Sequence, residues 1–350
     1  MKEKKRILVA ALHWGLGHAT RCIPIIQLLL KNNFEVILAS DGAALLLLQK
    51  EFPELESIQL PSYNISYSKH PKFLKWKLLL EAPKFFRTLK AEEKATAAIM
   101  ESHKVDGIIS DNRFGVYSDK VPSVFITHQL QVLSGNTTWL STKMHQMILK
   151  KFTECWVPDY QGSSNLSGKL GHVELPETPI KYIGPLSRFS KKEKEPLYDV
   201  LVLLSGPEPQ RSLLEEKLLV ELKNFSGKTL FVRGVLEKKQ TITQKEHIRI
   251  YNFMHGQELE ESINASALVL SRSGYTTIMD LAKLEKKAFF IPTPGQMEQE
   301  YLAKRLDALG MIPFCTQNAF RVTQLERVRD YTGFTDYKNA NNLEDLLSLF

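Results

Sequence analysis

The stretch RILVAALHWGLGHATRCIPIIQLLLKN, residues 6–32, joins an apolar run to a helical pattern through a loop that contains two glycines. Arg6–Leu12 predicts a buried strand, residues 18–32 predict a helix, and Gly15 and Gly17 lie between them. A strand this apolar is typical of a parallel sheet that helices cover on both faces. The stretch therefore predicts the first strand-loop-helix unit of an α/β fold.

The same alternation continues along the chain. Further strands are predicted at residues 35–40, 57–61, 105–110 and 123–127, with a helix at 43–52. A charged stretch that ends in proline, Ser187–Pro196, predicts a linker. Beyond it, strands at 198–204, 229–233, 248–253, 268–271 and 288–292 are joined by helices at 212–223, 257–264, 276–284 and 296–309.

Two rounds of alternation predict two domains, which suits a chain of 350 residues. We predict an α/β protein with two doubly wound, Rossmann-like domains that face each other across a cleft. The predicted segments are a first domain (1–186), a linker (187–196), a second domain (197–320) and a helical tail (321–350) that packs back on the first domain. Ligands of such sheets bind outside the carboxyl ends of the strands, so functional residues are expected in the loops that follow strands.

Composition restricts the compartment and the partners. Cys22, Cys155 and Cys315 are far apart and form no CxxC pair, which indicates neither a disulfide framework nor a zinc site and suits a reducing cytoplasm. Glu3 and His13 interrupt the pattern of a secretion signal, and no later stretch is long and apolar enough to predict a membrane span. A net charge of +7 permits phosphate-bearing partners without choosing among them.

The loop after the first strand has the chemistry of a site. Gly15 and Gly17 allow a substrate to approach the backbone, and the N–H groups at the start of the helix attract anions. Thr20 stands where the third glycine of a GxGxxG fingerprint belongs, so a nicotinamide or flavin enzyme is disfavoured. His18 can act as a general base, since a helix N-terminus disfavours its cation. A turn with a capping histidine is the alternative interpretation.

Other strand ends of the first half reach the same edge. Asp111 follows the strand at 105–110 and can orient His18 by accepting a hydrogen bond from its second ring nitrogen. A turn or helix-cap aspartate remains the alternative. With His18 and Asp111 as the predicted catalytic pair, the predicted acceptor-side residues are Gly15, Gly17, Arg21, His128 and Gln129.

The second half carries a stronger pattern in Leu268–Leu306. A strand ends in Arg272-Ser273-Gly274, and the helix that follows can hold phosphate oxygens at its free N–H groups. Asp280, two turns later, and the residues after Pro292-Thr293-Pro294-Gly295 suit the paired hydroxyls of a ribose or sugar. No DxD pair occurs in the chain, so helix dipoles and arginines, rather than a metal ion, are expected to neutralise a leaving diphosphate.

Two further segments each allow more than one interpretation. Residues 205–211 are not a Walker A loop, but Ser205, Gly206 and Arg211 can wrap a diphosphate. Lys72–Lys90 mixes lysines with Trp and Phe, which is typical of a segment at an anionic membrane surface or of a lid over an apolar acceptor. An amphipathic helix packed on its own sheet is an equal alternative. No motif that reads nucleic acid is present, so nucleic acid is not an expected partner.

With these motifs in place, the chain resembles the GT-B glycosyltransferases of the lipid II synthase type, which transfer N-acetylglucosamine from UDP to an undecaprenyl-linked acceptor. It is more distantly similar to the monogalactosyldiacylglycerol synthases, and resembles most the uncharacterised glycosyltransferase-like proteins that carry GLGHATR. The resemblance covers the chain to about Phe320 and includes the glycosyltransferase family 28 C-terminal domain. A nucleotide-sugar hydrolase of pseudaminic acid synthesis shares the GxGHxxR pattern and uses its histidine to activate water.

The resemblance implies roles for single residues. Ser273 and Gly274 would contact the diphosphate, Gln299 the donor sugar, and Phe253-Met254 the uracil edge. Asp280 stands where the family has a ribose-binding glutamate and is one methylene shorter, and Arg188 matches an arginine near the diphosphate. The predicted donor-binding residues are Arg188, Ser205, Gly206, Arg211, Phe253, Met254, Arg272, Ser273, Gly274, Tyr275, Thr276, Asp280, Gln296, Glu298 and Gln299.

The prediction for function is therefore a metal-independent, inverting glycosyltransferase that uses a nucleotide sugar, with UDP as the expected nucleotide, and a hydroxyl acceptor that is lipid-linked or a glycan. Neither a cofactor nor a metal is expected, and the expected place is the cytoplasm at the inner face of the membrane. Two alternatives remain open from the sequence: a nucleotide-sugar hydrolase, and a nucleotide-sugar-binding protein without catalytic activity.

Overall fold

The computed structural model describes residues 4–63, 74–173, 177–206, 208–235, 237, 239–254, 256–334 and 343–350, with backbone alone for 74–82 and 136. The chain forms two compact units. The N-terminal unit comprises Met1–Arg188 with Asn339–Phe350, and the C-terminal unit comprises Phe189–Lys338. The division after Arg188 lies within the stretch predicted as a linker.

The N-terminal unit is built on a seven-stranded sheet with the order β3-β2-β1-β4-β5-β6-β7, whose pairings are parallel. Its elements are β1 (Arg6–Ala11), α1 (Gly17–Lys31), β2 (Glu35–Ser40), α2 (Gly42–Glu51), β3 (Ser57–Gln59), α3 (Leu74–His103), β4 (Gly107–Asp111), β5 (Ser123–Ile126), α4 (Thr138–Leu149), β6 (Glu154–Val157) and β7 (Ile180–Tyr182).

The strand order reverses at β1, which lies between β2 and β4. Ala11 at the end of β1 is in register with Asp111 at the end of β4, and Leu12 N–H donates to the Asp111 carbonyl at 3.0 Å. β1 is buried because its side chains from Ile7 to Ala11 are apolar and helices cover both faces of the sheet. The loops that follow β1, β2, β4 and β5 therefore meet at one edge, at the place where doubly wound sheets bind ligands.

The C-terminal unit contains a six-stranded sheet with the order β10-β11-β9-β8-β12-β13, parallel apart from the antiparallel pair β10 and β11. Its elements are β8 (Tyr198–Leu203), α5 (Gln210–Glu221), β9 (Thr229–Val232), β10 (Ile242–Lys245), β11 (Ile248–Tyr251), α6 (Gly256–Asn264), β12 (Ser266–Ser271), α7 (Tyr275–Lys283), β13 (Lys287–Phe290) and α8 (Met297–Ala308). The predicted class, α/β with two doubly wound sheets, is confirmed.

The sequence patterns did not predict β6, β7, β10 or α4. β6 starts with a glutamate and has only three apolar residues, β7 has three residues, and β10 is an exposed edge strand, so none of them forms a long buried apolar run. The structure also divides the predicted tail. The 3-10 helix Val322–Asp330 packs Leu325 and Val328 into the core of the C-terminal unit, whereas Phe350 lies against Trp156 in the N-terminal unit with ring centroids 6.2 Å apart.

Among the described residues, no helix combines the length and apolar character needed to cross a bilayer. Of the predicted basic segment Lys72–Lys90, Lys72 and Phe73 lie outside the described residues, and residues 74–90 are part of α3. Its described side chains include Phe85, which packs on Tyr63 at 5.3 Å, and Phe86, which is 46% exposed. α3 thus contributes one half-buried and one exposed aromatic side chain among its described residues.

Candidate active site

The glycine loop after β1 leads directly into α1. Gly15 has a φ of +85°, in the left-handed region that favours glycine, and a Cβ there would meet nothing within 4 Å. The backbone conformation, and not crowding, accounts for a glycine at this position. α1 begins at Gly17, and no described side chain caps its N-terminus. His18 therefore lies in the first turn of a helix whose leading N–H groups carry partial positive charge.

His18 pairs with Asp111 across the sheet edge. The His18 Nδ1 atom lies 2.7 Å from Asp111 Oδ1, and the carboxylate is fully buried while 15% of the histidine side chain is exposed. An ionised carboxylate can only accept hydrogen bonds, so the imidazole donates from Nδ1 and keeps a lone pair at Nε2. This is the geometry of a general base held by an orienting carboxylate.

Arg21 completes the cluster from one turn further along α1. Its Nε and Nη2 atoms donate to the two Asp111 oxygens, and its Nη1 lies 3.3 Å from His128 Nδ1 in the loop after β5. Residues three apart on a helix share a face, so His18 and Arg21 reach the same carboxylate. The structure thus joins four of the predicted residues, from α1, β4 and the β5 loop. Gln129 follows His128, and its N–H donates to Thr127 Oγ1 at 3.1 Å.

The charges of the cluster set two pKa values. Burial lowers the pKa of His18, and the Arg21 guanidinium, 2.9 Å from the ring, lowers it further against the opposing effect of Asp111. Burial by itself would raise the pKa of Asp111, but Arg21 and His18 outweigh it and bring that pKa below its usual value. At neutral pH the carboxylate is therefore ionised and the imidazole is neutral, which is the state that a base requires.

Activity should consequently persist to lower pH than an ordinary histidine would allow. We expect kcat/KM to fall with decreasing pH as His18 gains a proton, with a midpoint below about 6.5. Arg21→Met removes the nearby cation and should move this midpoint to higher pH, whereas Arg21→Lys keeps the charge and should move it less. Rate profiles between pH 4 and 9 measure both. An equal midpoint in the wild type and Arg21→Met would contradict the assignment.

In the C-terminal unit, three predicted residues meet at the start of α7. Gly274 precedes the helix, and no described side chain caps its N-terminus. The Ser273 hydroxyl donates to the Gln299 carbonyl at 2.8 Å, and the Gln299 side-chain oxygen accepts from the Thr293 N–H at 2.9 Å. These bonds tie the loops after β12 and β13 to α8 and leave an uncapped helix terminus at a strand end, which attracts phosphate.

Two arginines of the predicted donor site, Arg211 and Arg272, are engaged within the unit. Arg272 is 2% exposed and donates to the carbonyls of Ile291, Pro292 and Gln210 and to Gln317 Oε1, and burial lowers its pKa to about 10. Arg211 donates to Glu208 and to Glu215. A buried guanidinium needs acceptors for its N–H groups, and here the protein accepts four hydrogen bonds from Arg272 and five from Arg211. Both side chains therefore hold loops in place.

The remaining predicted donor residues surround these loops. The Phe253 N–H donates to Asn252 Oδ1 at 2.9 Å and its carbonyl accepts from Gln240 Nε2 at 3.0 Å, so these bonds use both of its backbone groups within the unit. Gly206 lies in an exposed loop with a φ of +107°. The other positions are Ser205 after β8, Met254 after β11, Tyr275, Thr276 and Asp280 in α7, Gln296 before α8, Glu298 in its first turn, and Arg188 at the boundary of the units.

A second buried ionic cluster was missed from the sequence. Arg113 is fully buried and donates to Asp41, to Glu92 Oε1 at 2.8 Å and to the Ala11 carbonyl at 3.0 Å. Glu92 also accepts from the Tyr63 hydroxyl, and burial raises the pKa of both side chains. Asp41 follows β2 directly and Arg113 lies two residues after β4, so the common sheet edge was the signal available.

Part of the chain matches a known protein family, and most of its length is similar to known proteins. Residues 211–333 match the glycosyltransferase family 28 C-terminal domain. The chain is a glycosyltransferase. It is 25% identical over 305 residues to the UDP-N-acetylglucosamine--N-acetylmuramyl-(pentapeptide) pyrophosphoryl-undecaprenol N-acetylglucosamine transferase of Clostridium tetani, covering 83% of this chain and 78% of the relative. An uncharacterized glycosyltransferase of Methanopyrus kandleri is 22% identical, with 85% and 86% covered.

Solved structures show the fold of this glycosyltransferase. Acinetobacter baumannii MurG superimposes with a TM-score of 0.60 at 14% identity, covering 99% of this chain and 98% of that one. The glycosyltransferase SsfS6 of Streptomyces sp. SF2575, complexed with thymidine diphosphate, gives a TM-score of 0.63 at 14% identity, with 99% of both chains covered. The predicted GT-B fold is thereby confirmed.

Proposed function

We propose that the glycosyltransferase moves a sugar from a UDP-linked donor to a hydroxyl acceptor with inversion of the anomeric centre. The arrangement of His18, Asp111 and Arg21 carries this proposal, because it holds a neutral imidazole with an available Nε2 lone pair. The uncapped α7 terminus at Ser273-Gly274 supports a site for the donor's diphosphate. The UDP-N-acetylglucosamine transferase of Clostridium tetani supports UDP as the nucleotide.

The proposed step is a single displacement. His18 Nε2 accepts the proton of the acceptor hydroxyl while that oxygen forms a bond to the anomeric carbon of the donor sugar. The bond from this carbon to the diphosphate breaks on the opposite face, so one displacement inverts the centre and releases UDP. Asp111 stabilises the imidazolium that forms, and the α7 terminus stabilises the negative charge on the leaving diphosphate.

We further propose that the step needs no metal ion. Among the described residues no group of three or more His, Cys, Asp or Glu side chains could hold one, and the sequence has no DxD pair. The helix dipole at α7 would supply the positive charge that a metal ion provides elsewhere. The proposed acceptor is lipid-linked, as the name of the Clostridium tetani relative indicates for that protein, and the enzyme would act at the cytoplasmic face of a membrane.

A two-stage experiment tests this function. UDP-, TDP- and GDP-sugars are first screened by thermal shift, because a bound ligand raises apparent stability with its occupancy. The donor that binds is then incubated with EDTA and with a polyprenyl-phosphate-linked acceptor, a simple glycoside or water alone. Transfer with inverted configuration supports the proposal. Rapid release of free sugar in water alone would instead show a hydrolase, and nucleotide binding without any turnover would show a binding protein.

The donor site gives a sharper expectation at Gly274. Its φ of −70° suits any residue, and an added Cβ would have within 4 Å only Gln299 Nε2, at 3.9 Å, among the described residues. Gly274→Ala should therefore fold normally, yet place a methyl group where a diphosphate would approach the backbone. We expect UDP binding to weaken about tenfold or more by calorimetry, with an unchanged melting temperature in the absence of nucleotide as the control. Unchanged UDP affinity would place the diphosphate elsewhere.

A further inference from the structure

A second histidine–aspartate–arginine arrangement lies at the same sheet edge as the proposed base, after the neighbouring strands β1, β2 and β4. His13, two residues after β1, has its Nδ1 atom 3.3 Å from Asp41 Oδ2, and the other Asp41 oxygen accepts from Arg113. Because a carboxylate paired with a buried guanidinium is an acceptor, His13 donates from Nδ1. This repeats the chemistry of His18, Asp111 and Arg21 at the same sheet edge, but the proposed proton transfer does not use it.

The His13 ring is held in one orientation. A Cβ at Gly42 would lie 2.2 Å from His13 Cε1 and 2.3 Å from its Nδ1, so the absence of a side chain at Gly42 makes room for the imidazole. About a third of the histidine side chain is exposed (32%), and Nε2 has no hydrogen-bond partner in the part of the chain that the structure describes. The ring thus offers one fixed nitrogen to a molecule from solution.

Trp14, the next residue, adds an apolar surface. Its side chain is 39% exposed and packs edge-to-face on Tyr63, with centroids 6.4 Å apart and an interplanar angle of 79°. Tyr63 is itself fixed by its bond to the buried Glu92. An exposed indole supported by a buried neighbour is well suited to packing against a ligand, since its position is largely determined before binding.

We propose that His13 and Trp14 form an acceptor subsite that binds a sugar ring. A pyranose presents apolar C–H groups on its faces, which pack on an indole, and hydroxyls around its rim, which donate to an imidazole nitrogen. His13 accepts a hydrogen bond from one hydroxyl, while His18 deprotonates another hydroxyl of the same ring. The acceptor is therefore a glycoside rather than water or a simple lipid alcohol. This inference rests on the proposed transferase activity.

Short alkyl glycosides test the subsite. Calorimetry measures the binding of three glycosides to the full chain with saturating UDP: hexyl β-D-glucopyranoside, hexyl β-D-galactopyranoside and hexyl N-acetyl-β-D-glucosaminide. The control ligand is 1-hexanol, which has the same alkyl chain but no sugar. We expect at least one glycoside to bind and hexanol not to bind over the same range. His13→Ala and Trp14→Ala should each weaken glycoside binding about tenfold or more.

His103→Ala is the matched control, because His103 also pairs with a carboxylate, Glu56 at 3.0 Å, but lies at the opposite edge of the sheet beside Arg6. It should leave glycoside affinity unchanged. His13→Gln gives a second measurement: the acceptor KM should rise about tenfold with the acid limb of kcat/KM unmoved. The ion pair between Asp41 and Arg113 remains in the His13 variants, so their melting temperature, measured by tryptophan fluorescence, should be close to that of the wild type.

Several results would overturn the subsite. These are equal glycoside affinity in wild type, His13→Ala and Trp14→Ala, binding of hexanol as strong as that of the glycosides, or absence of binding by every glycoside to the wild type. A shift of the acid limb in His13→Gln would make His13 a titrating base instead of a binding residue. In each case the wild type is also titrated with UDP alone. If it binds UDP, only the acceptor subsite is contradicted; if it does not bind UDP, the result counts against the proposed function itself.

Discussion

His18→Ala should lower kcat by about 10²- to 10⁴-fold while the affinity for UDP stays the same, because it removes the proposed base and leaves the C-terminal unit untouched. The variant is expected to fold. Asp111 keeps both bonds from Arg21, so no buried charge loses its main partner. Turnover is measured with saturating donor and acceptor, and UDP affinity by calorimetry. The expected loss then lies in kcat and not in donor binding.

Two variants make the result specific. His103→Ala removes a histidine that is paired with Glu56 at the opposite edge of the sheet and should keep full activity. Asp111→Asn keeps the size of the side chain but loses the charge that orients the ring and stabilises the imidazolium, so kcat should fall here as well. Full turnover in His18→Ala would exclude this histidine as the base.

Arg113→Met should destabilise the N-terminal unit by about 3–5 kcal/mol. The substitution leaves Asp41 and Glu92 buried without the cation that both contact, and the carbonyls of Ala11 and Pro61 lose a donor. For a unit of this size, such a loss lowers the melting temperature by roughly 6–20 °C. The expected cost comes from leaving charges unpaired in the interior, and the pair itself need not be strongly stabilising.

The tryptophans allow this effect to be assigned to one unit. All four, Trp14, Trp76, Trp139 and Trp156, belong to the N-terminal unit, so their fluorescence during urea unfolding reports on that unit. Arg6→Met is the control, since Arg6 pairs with Glu35 on the surface, where such pairs are worth about 1 kcal/mol or less. If Arg113→Met cost no more than Arg6→Met, the buried cluster would not stabilise the unit.

The fold was predicted from patterns that involve only residues adjacent in the sequence. Uninterrupted apolar runs gave β1, β2, β12 and β13 within a few residues of their observed bounds, because strands buried on both faces need apolar side chains throughout. The sequence did not predict β6, β7 and β10, because each is short or carries polar side chains. Their place in the sheets depends on partner strands that lie far away in the chain.

The residues of the two candidate sites also divide into those that a local sequence pattern predicts and those that depend on distant parts of the chain. The sequence predicted that His18 and Asp111 would meet, because parallel strands bring their carboxyl ends to one edge. It also predicted that Ser273, Gly274 and Gln299 would come from adjacent strand-end segments, and the structure joins Ser273 to Gln299 by a hydrogen bond. The roles inferred from resemblance for individual donor residues stay predictions.

The hydrogen-bond and ion-pair partners of the charged side chains were decided only by the tertiary structure. The sequence offered Arg211 as a diphosphate contact and Arg272 as a donor-binding residue, and the folded chain buries both among its own acceptors. Beyond the common sheet edge of Asp41 and Arg113, it gave no sign that Arg113 would also join Glu92, and none that Gly42 would make room for His13. A local pattern fixes which residues reach the edge of a sheet. Whether a charged group there is free for a ligand depends on the register of non-adjacent strands and on the acceptors that these bring within reach.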